Sequence, residues 1–164
     1  REQDPACAPR YWSTHRYSEE VIAAMDRAID RLKVVLGMEG SRLLLIGYSG
    51  GGQVAALLAA RRNDVAGLLT VAANLDHAAW TAYHDDTPLT GSLNAAVEAP
   101  RIARLPQRHL AGEEDEVVPP AIAFAYARRL GPKGGSTVTI LPGFDHRCCW
   151  IREWPALLER YQPR

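Results

Sequence analysis

The sequence predicts an α/β fold, a mostly parallel sheet of about four strands with helices on both faces. Three observations predict it. Short uninterrupted apolar runs such as Leu43 to Tyr48 suit strands buried on both faces of a parallel sheet. Each run gives way to a segment with helical spacing, directly or after a loop. Parallel strands need crossovers, and right-handed crossovers place helices on both faces.

Residues 1–17, rich in proline, arginine and aromatics, read as irregular. Ser18 opens a helix, with Glu19 and Glu20 in the first turn, where the helix dipole favours acids. Val21, Ile22, Met25, Ile29, Leu32 and Val35 recur at helical steps and define one apolar face; Gly37 or Gly40 ends it. Leu43 to Tyr48 is the first strand, followed by a helix from about Gly51 to Arg62. "VAGLLTVAA" is the second strand, and residues 74–98 read mostly as loop. "PQRHLAGEEDEVVPP" holds a short third strand and an acidic turn. Pro119 and Pro120 suit the first turn of a helix running to about Leu130. "GPKGG" is a break, and "STVTILPG", rich in β-branched residues, is the fourth strand. A loop and a final helix follow, and Pro155 is expected to kink that helix or reset its start.

A length of 164 residues suits a single domain, and 47% hydrophobic residues suffice for a core. Lysine plus arginine and aspartate plus glutamate each number 19. This balance argues against a nucleic-acid or anionic-membrane surface. No apolar run approaches the length of a membrane span. The chain opens on Arg1 without a methionine or a signal-like segment, which predicts a processed, trimmed or truncated product. Cys7, Cys148 and Cys149 have neither metal-ligand spacing nor a CxxC pattern. They allow a disulfide from Cys7 to Cys148 or Cys149, or buried free thiols. The disulfide would imply an exported location, periplasmic or secreted.

Gly47, Ser49 and Gly51 form a G-x-S-x-G pattern with a strand directly before it and a helix directly after it. A serine at so sharp a turn is driven toward positive φ, and residues two positions away crowd each other, which favours glycine. The turn would lift the Ser49 hydroxyl above the C-terminal edge of the sheet. It would also aim the Gly50 N–H at the same point, where an oxyanion can develop. A serine hydroxyl needs a base, and the base an orienting carboxylate. Four acids follow the third strand: Glu113, Glu114, Asp115 and Glu116. Asp115 is selected because it lies third past Gly112 and directs the chain into the apolar "VVP". His146 follows the fourth strand.

The order Ser49, Asp115, His146, carried by "GYSGG", "GEEDEVVP" and "GFDH", resembles the α/β-hydrolase family from the first helix to the last. The resemblance implies a serine esterase-like enzyme with Ser49 as nucleophile, Asp115 as triad acid and His146 as general base. It also implies Gly50 as one oxyanion donor, a small-molecule acyl substrate, and no metal or cofactor. In that family several strands ordinarily precede the one bearing the serine, whereas here that strand is the first. The chain therefore reads as the C-terminal half of such a fold. An upstream segment or partner chain is expected to complete the sheet and supply a second oxyanion donor.

Other readings compete. The same fold can serve as a catalytically inactive binding or assembly module. Gly50, Gly52 and Ala55 also fit G-x-G-x-x-A, a dinucleotide-binding fingerprint, with Asp76 as its somewhat late acid. Tyr48, Asp76 and His77 are candidate pocket residues, the latter two also an alternative acid or base. Trp80, Tyr83, Trp150 and Trp154 can border an acyl pocket or serve as packing. Residues 74–98 fall where the family often inserts a lid, and their shortness predicts an open site.

Overall fold

A computed structural model describes residues 8–131 and 135–163. Four parallel strands lie in chain order: β1 (Leu43–Tyr48), β2 (Val65–Val71), β3 (Gln107–Gly112) and β4 (Ser136–Leu141). Helices α1 (Glu19–Leu36), α2 (Gly50–Ala59), α3 (His77–Tyr83), α4 (Ala95–Glu98), α5 (Pro120–Arg129) and α6 (Trp150–Tyr161) connect or flank them. β1 pairs with β2, and β3 with β4, along their lengths. The ladder between the two pairs is shorter, with Leu68 to Val71 opposite Gln107 to Leu110.

Core packing places helices on both faces. Leu68 of β2 joins Ile22, Leu57 and Tyr126 from α1, α2 and α5. The next residue, Leu69, faces the opposite way with Val71 and Leu110, against Trp150 and Leu157 of α6. β2 is buried along both faces, as its apolar run predicts. β1 departs from that expectation: Leu44, Ile46 and Tyr48 are exposed while Gly47 is buried, because β1 is an edge strand with one uncovered face.

The apolar face of α1 is likewise largely bare. Ile22 is buried and Ile29 partly so, whereas Met25, Leu32 and Val35 are exposed. The helix is tethered instead by charge. Lys33 bonds Asp64, and Arg62 reaches Asp64, Asp26 and Asp30, which holds the Asp64 carboxyl well below its usual range. Gly37, at φ 64°, ends α1. Residues 74–98 are mostly loop, as expected, and also carry the short helices α3 and α4, each opened by a side-chain cap, Asp76 and Asn94. Pro155 lies inside α6 and does not reset its start.

Candidate active site

Ser49 sits where β1 becomes α2, at φ 51° and ψ −124°. This left-handed conformation is strained for a residue with a Cβ. Backbone bonds hold it there. The Ser49 N–H donates to the Val71 carbonyl, and the Ser49 carbonyl accepts from Gly52 and Asn74. A Cβ on Gly47 would stand 2.6 Å from the Gly51 carbonyl carbon and the Gly52 Cα. The expected crowding is therefore real at Gly47 but not at Gly51, where a Cβ would meet nothing within 4 Å. On the helix side the crowded residues are Gly52, pressed against Ala73, and Gly50, which faces Tyr17. The N–H groups of Gly50 and Gly51 have no acceptor among the described residues and form the open N-terminus of α2.

His146 reaches Ser49 from the loop after β4: its Nε2 lies 3.1 Å from the Ser49 Oγ. Its Nδ1 lies 2.9 Å from Asp115 Oδ2. The Asp115 residue is 3% exposed, and its Oδ1 accepts from the Val117 N–H at 3.0 Å and the Val118 N–H at 2.7 Å. A carboxylate so placed accepts from Nδ1–H and leaves Nε2 free to accept from the serine hydroxyl. Of the four acids in this turn, Asp115 is the one in contact with His146; Glu113, Glu114 and Glu116 are exposed.

The histidine loop is braced on several sides. The Tyr48 hydroxyl donates to the His146 carbonyl, and the two rings lie 5.3 Å apart. Burial and the Asp115 charge push the Tyr48 hydroxyl pKa up. Asp145 Oδ1 accepts from the Arg147 and Cys148 N–H groups, which lower its pKa, and the Asp145 carbonyl accepts from Trp150 Nε1. Gly112 allows the acid turn to approach: a Cβ there would strike the Phe144 carbonyl. Cys148 and Cys149 are joined to each other, so neither is left to pair with Cys7, which lies outside the described residues.

Two clefts meet at Arg147, and His146 lines the first. One, of about 760 Å³, is bordered by Tyr83, Glu113, Glu116, Val117 and Arg147. The other, of about 590 Å³, is bordered by Ile46, Tyr48, Val71, Trp150 and Trp154. Tyr48 is thus at the site, whereas Asp76 and His77 are not brought to it. The Asp76 carboxylate caps α3 through the Ala79 N–H and accepts from Asn94 Nδ2. So committed, it is not presented to a ribose as the dinucleotide reading needs. His77 is buried, which lowers its pKa, and it lines a separate cavity of about 390 Å³ with Thr81 and Leu89. Trp80 is occupied in packing, its Nε1–H donating to the Val117 carbonyl. Among the described residues no group of three or more His, Cys, Asp or Glu side chains could hold a metal ion, and no helix is long and apolar enough to cross a membrane.

The parallel sheet, with connections at its C-terminal edge that bring Ser49, Asp115 and His146 together, defines an α/β-hydrolase-like fold. Solved structures share it at low sequence identity. Pyrococcus horikoshii acylaminoacyl peptidase aligns over 92% of this chain and 29% of its own, with a TM-score of 0.73 and 13% identity. Paleococcus ferrophilus monoacylglycerol lipase aligns over 90% and 76%, with a TM-score of 0.61 and 19% identity. A puromycin hydrolase aligns over 63% of this chain, which spans only 18% of that protein, with a TM-score of 0.53 and 23% identity. No family model and no curated protein sequence matches the chain.

Proposed function

We propose that this chain is a serine hydrolase that cleaves an ester-like acyl bond through an acyl-enzyme. The observation that carries the reading is the unbroken hydrogen-bonded line from Ser49 through His146 to a buried Asp115, beside the open N-terminus of α2. His146 Nε2 removes the Ser49 proton as Oγ attacks the carbonyl carbon. Asp115 holds the imidazole in the tautomer that can accept and stabilises the imidazolium. The carbonyl oxygen, now negative, accepts from the Gly50 N–H and the positive end of α2. His146 then returns the proton to the departing group, and water repeats the sequence to release the acid. The neighbours named above are called a lipase, a peptidase and a puromycin hydrolase. The element common to those names is acyl transfer to water, and it is the reaction assigned here.

The exposed edge of β1, with Leu44 and Ile46 bare, and the largely uncovered apolar face of α1 support a second part of the proposal. A preceding segment or a partner chain pairs with β1 and covers these residues, since an unpaired apolar edge is an aggregation hazard. Fluorophosphonate labelling tests the central claim. A single adduct on Ser49, absent in Ser49→Ala and His146→Ala, is expected. A folded chain that gives no adduct would overturn it, unless a longer polypeptide restores labelling, which would support the pairing at β1.

A further inference from the structure

Residue 50 is glycine although its helical position makes no demand on φ. Its reason is a neighbour. A Cβ there would stand 2.7 Å from the Tyr17 hydroxyl oxygen, 3.7 Å from Cζ and 3.8 Å from Cε1. The phenol therefore meets the glycine end-on, hydroxyl first. Tyr17 is only 7% exposed, yet its hydroxyl oxygen is not among the fully buried polar atoms, and among the described residues it has no hydrogen-bonding partner. A hydroxyl held on a buried ring, open to solvent and free of protein partners, can donate to a ligand, and that arrangement calls for an explanation.

The direction it faces supplies one. A helical Cβ tilts toward the helix N-terminus, the side on which the free N–H groups emerge. A Cβ lies about 2.5 Å from its own nitrogen, so the hydroxyl is at most about 5 Å from the Gly50 nitrogen. An oxygen about 2.9 Å from one donor and about 2.7 Å from the other can span that gap. We propose that the Tyr17 hydroxyl is the second oxyanion donor, placed by this chain itself beside the Gly50 N–H. The inference rests on the serine hydrolase reading, and it replaces the expectation that the second donor must come from outside these residues. Tyr17 keeps its proton throughout. Its hydrogen bond strengthens as the carbonyl oxygen gains charge and weakens as the carbonyl re-forms.

The residue is built to stay in place. The Tyr17 N–H donates to Ser92 Oγ, and its carbonyl accepts from the Leu93 N–H. Its ring lies alongside that of His77, with centroids 6.3 Å apart. Burial also raises the phenol pKa, keeping it a donor across the neutral range.

The test is hydrolysis of p-nitrophenyl acetate, with rates of fluorophosphonate labelling, for the parent chain, Tyr17→Phe, Gly50→Ala and the double variant. Tyr17→Phe keeps the ring and removes one hydroxyl, so it should melt near the parent temperature. It should lose about 10²–10³-fold in kcat with little change in KM. Gly50→Ala keeps the N–H but pushes the hydroxyl aside, and it should show a similar loss. The double variant should be no worse than the poorer single one, because both remove one interaction. A Tyr17→Phe chain that turns over and labels as fast as the parent overturns the proposal and leaves the serine hydrolase intact. A folded parent that neither labels nor turns over overturns the proposal that this chain supplies its own second donor, and it overturns the serine hydrolase reading as well if a longer polypeptide also fails to label.

Discussion

Alanine at Gly47 and alanine at Gly51 should have opposite effects, although the two glycines are equivalent in the sequence motif. At Gly47 the added Cβ would stand 2.6 Å from two backbone atoms of the following helix. That is roughly 1 Å inside the separation at which carbon atoms attract. Backbone cannot rotate away as a side chain can, so the turn must open by a comparable distance. Overpacking of this kind costs about 1–3 kcal/mol. For a chain of this size the loss corresponds to a fall of about 2–12 °C in Tm. A displacement of about 1 Å at the nucleophile costs about 10²-fold in rate. At Gly51 the Cβ meets open space at a helical position. Alanine there should stabilise by about 0.4–1 kcal/mol, through lost freedom in the unfolded chain. Thermal melting and the rate of Ser49 labelling read both effects. The reasoning fails if Gly47→Ala melts and labels like the parent, or if Gly51→Ala melts below it.

Three further outcomes are expected. Asp115→Asn can present an amide N–H to His146 Nδ1 and so stabilise the tautomer that cannot accept from Ser49; kcat should fall by about 10²–10⁴-fold, and an unchanged kcat would refute the assigned role. His109, wholly buried beside Thr70, has its pKa pushed down to about 3 by burial. Its folded pKa lies below the unfolded value of about 6.5, so its contribution is complete above about pH 6.5 and is lost as pH falls toward 3, by at most about 1.4 kcal/mol per pH unit. Urea midpoints should therefore fall more steeply across that window for the parent than for His109→Gln; parallel curves would contradict this. Peptide mapping without reductant should find Cys148 bonded to Cys149, and a Cys7 cross-link to either would show the pairing to be wrong.

Much of this arrangement was legible in the sequence because it is local. The strand–serine–glycine–helix order carries its own geometry, and Asp115 and His146 each follow a strand closely. Other features depend on what lies across a gap. The apolar spacing of α1 predicted a buried face, but periodicity reports which side is apolar and not whether anything covers it. The run in β1 read as doubly buried for the same reason. The crowding at Gly52 was invisible because it comes from Ala73, just past the end of β2, and that at Gly112 because it comes from Phe144. Tyr17 gave no signal at all, since one aromatic in an irregular stretch becomes meaningful only when folding brings it to Gly50. Asp76 and His77 follow a strand as Asp115 and His146 do, but α3 takes up the Asp76 carboxylate.

The short ladder between β2 and β3 divides the sheet into two leaves. Ser49 rides on one leaf, while Asp115 and His146 ride on the other. The hydrogen bond between Ser49 and His146 therefore bridges the seam between residues carried by different halves of the sheet. The buried bond from Thr70 to His109 clamps that seam from inside, one strand away from the serine.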